Sequence, residues 1–488
     1  MNNYIKLNEQ DNVVVALCDL QAGEKIGSIT LIDSIKQGHK LAVRDIKTGE
    51  NIVKYAFPIG HATADILAGQ HVHTHNIKTN LGELLSYTYT PDVPQTPTQT
   101  PYTFKGYMRE DGRAGTRNEV WIIPTVGCVN KVAESLAAKA NSLYEGKCDG
   151  VYAFPHPYGC SQLGDDHDNT RKLLTSLALH PNAGGVLILG LGCENNRIDE
   201  LIPALGDFDR DRIRFLNCQD VNDELEAGMA ELEKLVSYAS QYKRSELPAS
   251  KLVVGLKCGG SDGFSGITAN PLVGRFSDKL IAQGGTSILT EVPEMFGAET
   301  LLLNRCINEQ VFDRAVEMVN GFKEYFIRHN QTIYENPSPG NKDGGISTLE
   351  DKSLGCTQKG GSSAVVDVID YGHMINKPGL NLLSAPGNDL VASTALCAAG
   401  AQIVLFTTGR GTPFGCPAPT IKIASNSGLY NSKSNWMDFD AGRMLTEDNK
   451  AVAEDFYSYV LDVASGRQTK SELVGYREIA IFKDGVTL

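Results

Sequence analysis

The sequence predicts an α/β protein in which a small all-β domain precedes two α/β regions built on mainly parallel sheets. Three observations predict this fold. The first part of the chain alternates short β-like runs with turns such as KTGE and QAGEK. A proline-rich stretch follows it. After that stretch, buried strands alternate with glycine-rich turns and amphipathic helices, which is the pattern of a parallel sheet covered on both faces.

Changes in composition predict the domain boundaries. The segment TPDVPQTPTQTPYT lacks apolar periodicity, so we expect an extended linker at residues 91–101 after a β domain at residues 1–90. The stretch RSELPAS separates an α/β domain at residues 102–247 from a C-terminal α/β domain at residues 248–488. The polar stretch NPSPGNKDGG, residues 336–345, is predicted to be a long lid-like loop within the last domain.

Continuous apolar runs predict the strands of the first α/β domain at residues 120–127, 151–156, 185–192 and 213–217. Amphipathic periodicity predicts the helices between and after them at residues 129–143, 169–179 and 221–242.

Composition excludes several classes of protein. The 488 residues are too many for one ordinary core, and 41% hydrophobic residues with 49 glycines are typical of a folded α/β protein. The net charge is −13 and there is no basic run, so nucleic acid is not an expected partner. An anionic substrate would therefore need a locally positive pocket.

The chain has no apolar stretch of the length that crosses a bilayer, so we expect no membrane partner. The N-terminal residues lack the basic and apolar regions of a signal peptide, which predicts a cytoplasmic protein. Eleven cysteines in such a chain are expected to be reduced thiols.

The stretch GQHVHTHN places three histidines at alternate positions: His71, His73 and His75. If it is a β-strand, the three side chains share one face, and neighbouring imidazoles can bind one transition-metal ion. The alternative is a solvated edge strand that uses imidazole as a polar side chain. The pattern alone leaves both interpretations open.

A buried strand followed by a glycine-rich turn with a cysteine occurs four times, at Cys128, Cys160, Cys193 and Cys258. Ligands bind at the carboxyl ends of strands in open α/β sheets, and a thiol at a helix N-terminus has a lowered pKa and is predisposed to bind metals. The alternative is that these cysteines are small residues that fill tight turns. Iron–sulfur ligation is a further, weaker interpretation, because no compact C-x₂-C run supports it.

Two glycine-rich stretches predict substrate contacts. CGGSDGFSGITANPLVG offers backbone N–H groups and polar side chains to a polyhydroxylated ligand, with Ser261, Thr268 and Asn270 as candidates. FTTGRGTPFG places Arg410 between two glycines and Thr412 beside them, where the guanidinium can bind a carboxylate in a bidentate manner. The alternative is a glycine turn with a surface arginine. GLGCEN lacks the third glycine of a dinucleotide-binding loop, so no nicotinamide cofactor is expected.

Three residues at predicted strand ends are candidates for a general base: His156 first, Glu291 second and Asp262 third. A histidine already has a pKa near neutrality, whereas a carboxylate needs burial or a like charge, which Glu294 offers to Glu291. Each candidate also has a structural interpretation as a helix cap, a turn acceptor or an orienting residue.

Taken together, the motifs GYMREDGRAGTRN, HPYGC, GLGCE, CGGSDGFSGITANPLVG, SPGNKDGG and TTGRGTP resemble the altronate/galactarate dehydratase family over essentially the whole chain. The β domain is similar to an SAF domain, and HVHTHN resembles the altronate branch of the family. The resemblance implies a hydro-lyase that converts D-altronate to 2-keto-3-deoxy-D-gluconate in hexuronate catabolism. It also implies a divalent metal, Fe²⁺ first and Mn²⁺ second.

Other functions stay open at this stage. They are dehydration of galactarate or another sugar acid, elimination of sulfite from a sulfonated hydroxy acid, and sugar-acid binding without catalysis. The titratable side chains favour an enzyme over a binding protein, since binding alone needs no base. We expect a homo-oligomer, a dimer, with a small sugar acid as its substrate.

Overall fold

The computed structural model describes residues 3–82 and 84–488 and confirms the predicted fold class. A domain of small antiparallel sheets is followed by two α/β domains, each with a parallel sheet. Within the described ranges, no helix is long and apolar enough to cross a membrane.

The first domain consists of short strands that pair mainly antiparallel in the orders β1-β2-β5-β8, β6-β7-β9 and β3-β4. The strands are β1 (Tyr4–Ile5), β2 (Val13–Ala16), β3 (Lys25–Ile26), β4 (Ile29–Thr30), β5 (Lys40–Ala42), β6 (Asn51–Lys54), β7 (Phe57–Ala62), β8 (His71–Val72) and β9 (Ile77–Lys78). Buried aliphatic side chains fill the space between the sheets.

The proline-rich segment runs along the third domain. Of the described residues between 79 and 102, none belongs to a helix or strand. The backbone N–H of Asp92 donates to the Asn304 carbonyl at 2.8 Å, and that of Gln99 donates to the Ala282 carbonyl at 2.7 Å. These contacts dock the predicted linker onto the third domain.

The second domain has a four-stranded parallel sheet in the order β13-β12-β14-β15. Its strands are β10 (Thr103–Met108), β11 (Ala114–Gly115), β12 (Glu119–Pro124), β13 (Val151–Ala153), β14 (Ala183–Gly190), β15 (Ile213–Asn217) and β16 (Ser245–Pro248). Its helices are α1 (Asn130–Leu143), α2 (Gly164–Ala178), α3 (Ile198–Leu205) and α4 (Glu224–Ala239). Helix α2 begins five residues before the predicted start, because acidic residues in its first turn favour a helix without apolar periodicity.

The third domain has a seven-stranded, all-parallel sheet in the order β19-β20-β18-β17-β21-β22-β23. Its strands are β17 (Val253–Cys258), β18 (Thr286–Leu289), β19 (Val365–Ile369), β20 (Gly379–Leu383), β21 (Ile403–Thr408), β22 (Thr420–Ala424) and β23 (Phe439–Asp440). Its helices are α5 (Ala269–Ala282), α6 (Thr300–Leu303), α7 (Glu309–Arg328), α8 (Pro339–Asp343), α9 (Leu349–Cys356), α10 (Asp389–Ala398), α11 (Ser427–Ser432), α12 (Asn449–Ala464) and α13 (Lys470–Leu473).

One buried hydrophobic cluster spans the two α/β domains. Trp121 and Ile123 of the second domain belong to the same buried cluster as Ile288 of the third. The Asn182 side chain, before β14, donates to the Gln402 carbonyl, before β21, at 3.0 Å. The amino ends of the two sheets are therefore adjacent, and the opposite ends carry the loops in which ligands bind in such sheets.

Candidate active site and metal centre

A cavity of about 640 Å³ lies at the carboxyl end of the third-domain sheet. Its wall combines the end of β17, the turn after β18, the start of α10 and the loop of residues 336–345. The polar and thiol side chains that line it include Cys258, Glu294, Asn341, Lys342, Lys352 and Asp389. The cavity is thus positioned where open α/β sheets bind ligands.

Buried lysines and carboxylates form ion pairs beneath this cavity. The Lys257 ammonium lies 2.6 Å from Glu291 Oε1 and 2.7 Å from Asp389 Oδ1. The Lys352 ammonium lies 2.7 Å from Glu294 Oε1. Because buried charges persist only when they are paired, each lysine holds a carboxylate in place at the wall of the pocket.

The two glutamates differ in access and in pKa. Glu291 is fully buried and does not line the cavity, and burial raises its pKa against the opposing effect of Lys257. Glu294 does line the cavity. Burial alone would raise the pKa of Glu294, but Lys352 and the neighbouring lysines lower that pKa to about 2. Glu294 is therefore an ionised carboxylate at the wall of the cavity.

Cys258 is joined to this network as a thiol. Its Sγ donates to Glu294 Oε2 at 2.9 Å and accepts from the Lys359 ammonium at 2.9 Å. Cys356 Sγ lies 3.4 Å away. The hydrogen bond with Cys356 and burial raise the pKa of Cys258. Although Cys258, Glu294 and Cys356 are close enough to hold one ion, the adjacent ammonium groups repel a cation, so the group fits a metal poorly.

A second group of ligands lies in the first domain. One ring nitrogen from each of His39, His71 and His73 lies within 4.8 Å of the other two. Strands β5 and β8 bring them together, since Leu41 is paired with His71 across the sheet and His39 immediately precedes β5. This group of candidate ligands is thus built across two strands rather than along one.

The hydrogen bonds of His39 favour ligation. His39 Nε2 lies 3.1 Å from the Asp343 carbonyl, which can only accept, so Nε2 carries the proton and the lone pair of Nδ1 faces His71. A ligating histidine usually donates its other N–H in this way. His39 Nδ1 lies 3.0 Å from His71 Nε2, close to the roughly 3.3 Å expected between nitrogens bound to one tetrahedral ion.

The other two histidines are available in neutral form. Burial lowers the pKa of His71 to about 4 and the pKa of His73 to about 3. His73 Nδ1 is buried and has no hydrogen-bond partner among the described residues. Neutral imidazoles fit a transition-metal ion, and this group fits better than the thiol group of the third domain.

The expectation that His71, His73 and His75 alternate along one strand is wrong. Strand β8 contains only His71 and Val72, and the chain turns at residues 73–76. His75 is exposed and lies outside the three-residue group. The third histidine of the group is instead His39, which is 32 residues away from His71 in sequence and was not predicted.

The loop of residues 336–345 lies between the histidines and the cavity. On one side of this loop, His39 Nε2 donates a hydrogen bond to the Asp343 carbonyl. On the other side, Asn341 Nδ2 donates to the Ser261 carbonyl at 2.8 Å, and Lys352 Nζ lies 3.3 Å from Asn341 Oδ1. The segment is partly helical, because α8 and its capping box at Ser338 occupy it. It is a contact element between the domains as well as a wall of the cavity.

His156 has a structural role. It is buried in the second domain, where its Nε2 lies 2.8 Å from the Pro124 carbonyl and its Nδ1 accepts from the Tyr158 N–H at 3.2 Å. Both ring nitrogens are therefore occupied by backbone groups. Burial also lowers the pKa of His156. These contacts do not support the prediction that His156 is the base.

Asp262 is a turn acceptor. Its Oδ1 accepts from the Ser265 N–H at 2.9 Å and from the Ser425 hydroxyl at 2.8 Å, and its Oδ2 accepts from Asn426 at 3.0 Å. These bonds tie the glycine-rich loop to the end of β22. Asp262 does not line the cavity, which does not support the prediction that Asp262 is the base.

The predicted substrate-binding residues fall into two groups. Thr268 donates to the Ser425 carbonyl at 2.6 Å, and Asn270 bonds Thr407 and the Gly355 carbonyl, so both stabilise the loop itself. Ser261 Oγ is buried without a hydrogen-bond partner in the described part of the chain.

Arg410 is exposed and lies beside Gly260, whose backbone lines the cavity. The half-buried Thr412 accepts from the Phe414 N–H at 3.3 Å. A substrate contact of Arg410 or Ser261 stays a prediction.

The four strand-end cysteines do not form one group. Cys258 belongs to the third domain, whereas Cys128, Cys160 and Cys193 are exposed at the end of the second-domain sheet. Sequence reasoning also missed Lys352 and Lys359, because a lysine within a helix is usually exposed and nothing in the local sequence marks these two as buried.

Three models of protein families match consecutive parts of the chain. They are described as the altronate/galactarate dehydratase SAF domain (residues 2–80), the D-galactarate dehydratase/altronate hydrolase second domain (residues 106–240) and the D-galactarate/altronate dehydratase C-terminal domain (residues 249–487).

Several curated proteins are similar to the whole chain. The altronate dehydratase of Bacillus subtilis is 56% identical, with 100% of both chains covered. The altronate dehydratase of Escherichia coli is 54% identical, covering 99% of this chain and 100% of the relative. The galactarate dehydratase (L-threo-forming) of Escherichia coli is 35% identical over 98% of this chain and 96% of the relative. The chain therefore belongs to the D-galactarate/altronate dehydratase family.

Proposed function

We propose that this protein is a hydro-lyase that removes water from D-altronate to give 2-keto-3-deoxy-D-gluconate. The observation that carries the proposal is the cavity at the end of the third-domain sheet, where Glu294 and Lys352 pair at 2.7 Å in a largely buried setting. Such a pair offers both a proton acceptor and a positive charge to one ligand. The greater identity to the two altronate dehydratases than to the galactarate dehydratase favours altronate over galactarate.

The chemistry requires charge stabilisation next to a base. The proton on the carbon beside a carboxylate is only weakly acidic, so its removal needs groups that stabilise the negative charge that develops. The Lys352 ammonium is in position to bind the substrate carboxylate, and Lys342 lines the same cavity. A preorganised ammonium in a site that excludes water interacts more strongly than one in bulk solvent.

Glu294 is the base that we propose. In the ligand-free protein its pKa is about 2, because the neighbouring lysines outweigh the effect of burial. A bound substrate carboxylate competes for the Lys352 ammonium and thereby weakens its pairing with Glu294. Loss of that pairing raises the pKa of a buried carboxylate towards neutrality, which is where a general base works best.

We infer that a divalent cation, Fe²⁺ or alternatively Mn²⁺, binds His39, His71 and His73. Support comes from three ring nitrogens within 4.8 Å and from the unpartnered Nδ1 of buried His73. When bound, such an ion supplies a Lewis acid that stabilises negative charge on oxygen. The His39 hydrogen bond to the Asp343 carbonyl links the ligand group to the wall of the cavity.

A substrate panel tests the proposed reaction. Protein purified without oxygen is given D-altronate, galactarate and a sulfonated hydroxy acid, and keto-acid and sulfite release are measured. We expect kcat/KM for altronate to exceed that for the other substrates by at least about tenfold, which corresponds to about 1.4 kcal/mol. Preferred turnover of galactarate, or release of sulfite, would contradict the substrate assignment. Binding of altronate without turnover would contradict the enzyme.

A further inference from the structure

Three neighbouring strands of the second-domain sheet end in a Gly–Cys turn. The turns carry Cys128 after β12, Cys160 after β13 and Cys193 after β14. Strand β12 lies between β13 and β14, so the three turns stand at adjacent carboxyl ends. All three cysteines are exposed. Nothing in the proposed dehydratase site uses them.

Hydrogen bonds connect each turn with the other two. The Gly127 N–H donates to the Tyr158 carbonyl at 2.9 Å, which joins the first turn to the second. The Asn196 N–H donates to the Gly159 carbonyl at 2.9 Å, which joins the third turn to the second. The Asn196 side chain donates to the Thr125 carbonyl at 3.1 Å, which joins the third to the first. Each cysteine is within three residues of these contacts, so the turns form one assembly.

Backbone crowding explains the glycine before Cys160. Gly159 has φ +99°, and a Cβ at this position would lie 1.9 Å from the Thr125 carbonyl oxygen. A larger residue would push the second turn away from the first. The sequence therefore uses glycine to bring two cysteine turns into contact.

An unpartnered donor belongs to the same assembly. Gln162 is 2% exposed, and its Oε1 accepts from the Gly159 N–H at 3.2 Å. Its Nε2, however, has no hydrogen-bond partner among residues 3–82 and 84–488. A buried N–H donor without an acceptor costs about 1–3 kcal/mol, so a bound group that accepts a hydrogen bond here would remove that cost. Inorganic sulfide accepts N–H hydrogen bonds.

The three thiols do not lie close enough together to bind a single ion. Groups of three ligand atoms within 4.8 Å of one another occur at His39 and at Cys258, but Cys128, Cys160 and Cys193 do not form such a group in the described chain. Ligands of one ion must be that close. In an iron–sulfur cluster each thiolate binds a different iron atom, so the thiolates stand farther apart.

Cys218, at the end of the fourth strand, is a different kind of residue. It is half-buried against the core of the second domain, and burial raises its pKa to about 11. It stays a thiol at neutral pH. Cys218 is also less accessible than the other three cysteines, so the assembly offers three exposed thiols.

We propose that Cys128, Cys160 and Cys193 bind a [4Fe–4S] cluster whose fourth iron has no cysteine ligand. Two Fe²⁺, two Fe³⁺ and four sulfide ions make up the cluster, and the three thiols release their protons on binding, so no further oxidant or reductant is needed. An iron without a cysteine ligand binds water or another oxygen ligand. The cluster is separate from the histidine group, and the dehydratase proposal does not depend on it.

Iron and acid-labile sulfide measured on the full chain test the proposal. The protein is incubated without oxygen with Fe²⁺ and Fe³⁺ in equal amounts, sulfide and a thiol, and then freed of unbound ions. We expect about four iron and about four sulfide per chain, and a paramagnetic signal after one-electron reduction. The triple variant C128S/C160S/C193S should hold no sulfide, whereas C18S, which changes an exposed cysteine of the first domain, should match the wild type.

Alkylation mapping supplies a test that does not depend on the folding of a variant. In reconstituted wild-type protein the three cysteines should be protected from iodoacetamide while Cys18 reacts, and removing the iron with a chelator should expose all of them. A substitution of His39 should leave the sulfide content unchanged. Wild-type protein that holds no labile sulfide after reconstitution, or a triple variant that holds as much as the wild type, would overturn the proposal.

Discussion

At the scale of single residues, side chains of the same type differ in whether they reach the cavity or the histidine group. Glu291 and Glu294 are three positions apart, yet only Glu294 reaches the cavity, while Glu291 holds Lys257 and the N–H of Cys258. His39 and His75 differ in the same way, since one joins the ligand group and the other is exposed. Residue type and spacing made Glu291 and His75 candidates, whereas only the contacts point to Glu294 and His39.

The first prediction concerns the histidine ligands. His39→Ala should lower the affinity for Mn²⁺ by at least about 10- to 100-fold, because a ligand and its hydrogen bond to the Asp343 carbonyl are lost together. The double substitution of His71 and His73 by alanine should do the same. Titration of metal-free protein with Mn²⁺, followed by electron paramagnetic resonance, measures the affinity. His61→Ala, in the same domain but bonded to Asn80, is the control. Unchanged affinity in the His39 variant would place the ion elsewhere.

The second prediction concerns Arg410. If its guanidinium binds the substrate carboxylate in a bidentate manner, Arg410→Lys should reduce kcat/KM roughly ten- to a hundredfold, because lysine cannot make the paired contact. Stability should be unaffected, since Arg410 is exposed. Steady-state kinetics with altronate provide the measurement. Kinetics equal to the wild type would show that Arg410 is a surface residue.

At the scale of elements, local periodicity predicted most of the α/β framework. The four parallel strands of the second domain lie within a few residues of their predicted positions, because buried parallel strands are continuous apolar runs. The histidine strand was predicted too long, since β8 is only two residues. His39 could not be found at all, because it meets His71 through pairing of β5 with β8, and cross-strand pairing leaves no local signal.

The third prediction concerns the contact between two loops. Gly263 lies against the first domain, and a Cβ there would be 2.0 Å from the Gly38 carbonyl oxygen. Gly263→Ala should therefore destabilise the protein by about 1–3 kcal/mol and displace the residues next to His39. Chemical denaturation gives the free energy of unfolding. Gly340→Ala is the matched control, because its Cβ would meet nothing within 4 Å. Equal stability of the two variants would refute the close approach.

At the scale of the whole molecule, buried charges connect the first domain to the third. Lys40 Nζ lies 2.7 Å from Asp351 Oδ2, and Lys54 Nζ lies 3.0 Å from Asp351 Oδ1. Lys40 also donates to the Gly345 carbonyl at 2.6 Å. One carboxylate thus holds two lysines of the histidine-bearing domain against the wall of the cavity. Nothing local in the sequence pairs residues that are about 300 positions apart, so this interface could not be predicted.

The fourth prediction concerns that carboxylate. Asp351→Asn leaves two buried ammonium groups without their counter-ion and should destabilise the protein by about 3–5 kcal/mol. Asp65→Asn breaks the exposed pair with Lys47 and should cost at most about 1 kcal/mol. Urea denaturation compares the two. An Asp351 variant as stable as the Asp65 variant would show that the interface does not depend on this ion pair.

Acid should weaken the same interface. Burial tends to raise the pKa of Asp351, but Lys40 and Lys54 lower it well below its usual range. A carboxylate whose pKa is lower in the folded state stabilises the protein above its unfolded pKa of about 3.9, and that contribution is lost as the pH falls below this value. The urea midpoint of the wild type should therefore fall more steeply below about pH 4 than that of Asp351→Asn. Parallel pH profiles would contradict the pKa shift.

The central claim is that Glu294 removes the C2 proton of a sugar acid in the cavity of the third domain. Proton magnetic resonance of D-altronate with the protein in D₂O tests it most directly. The wild type should form 2-keto-3-deoxy-D-gluconate with one solvent deuterium at C3. Glu294→Gln should slow this reaction by about 10²- to 10⁴-fold and still bind Mn²⁺, while Glu145→Gln, at an exposed position, should react like the wild type. A Glu294→Gln variant that forms product at the wild-type rate would contradict the account.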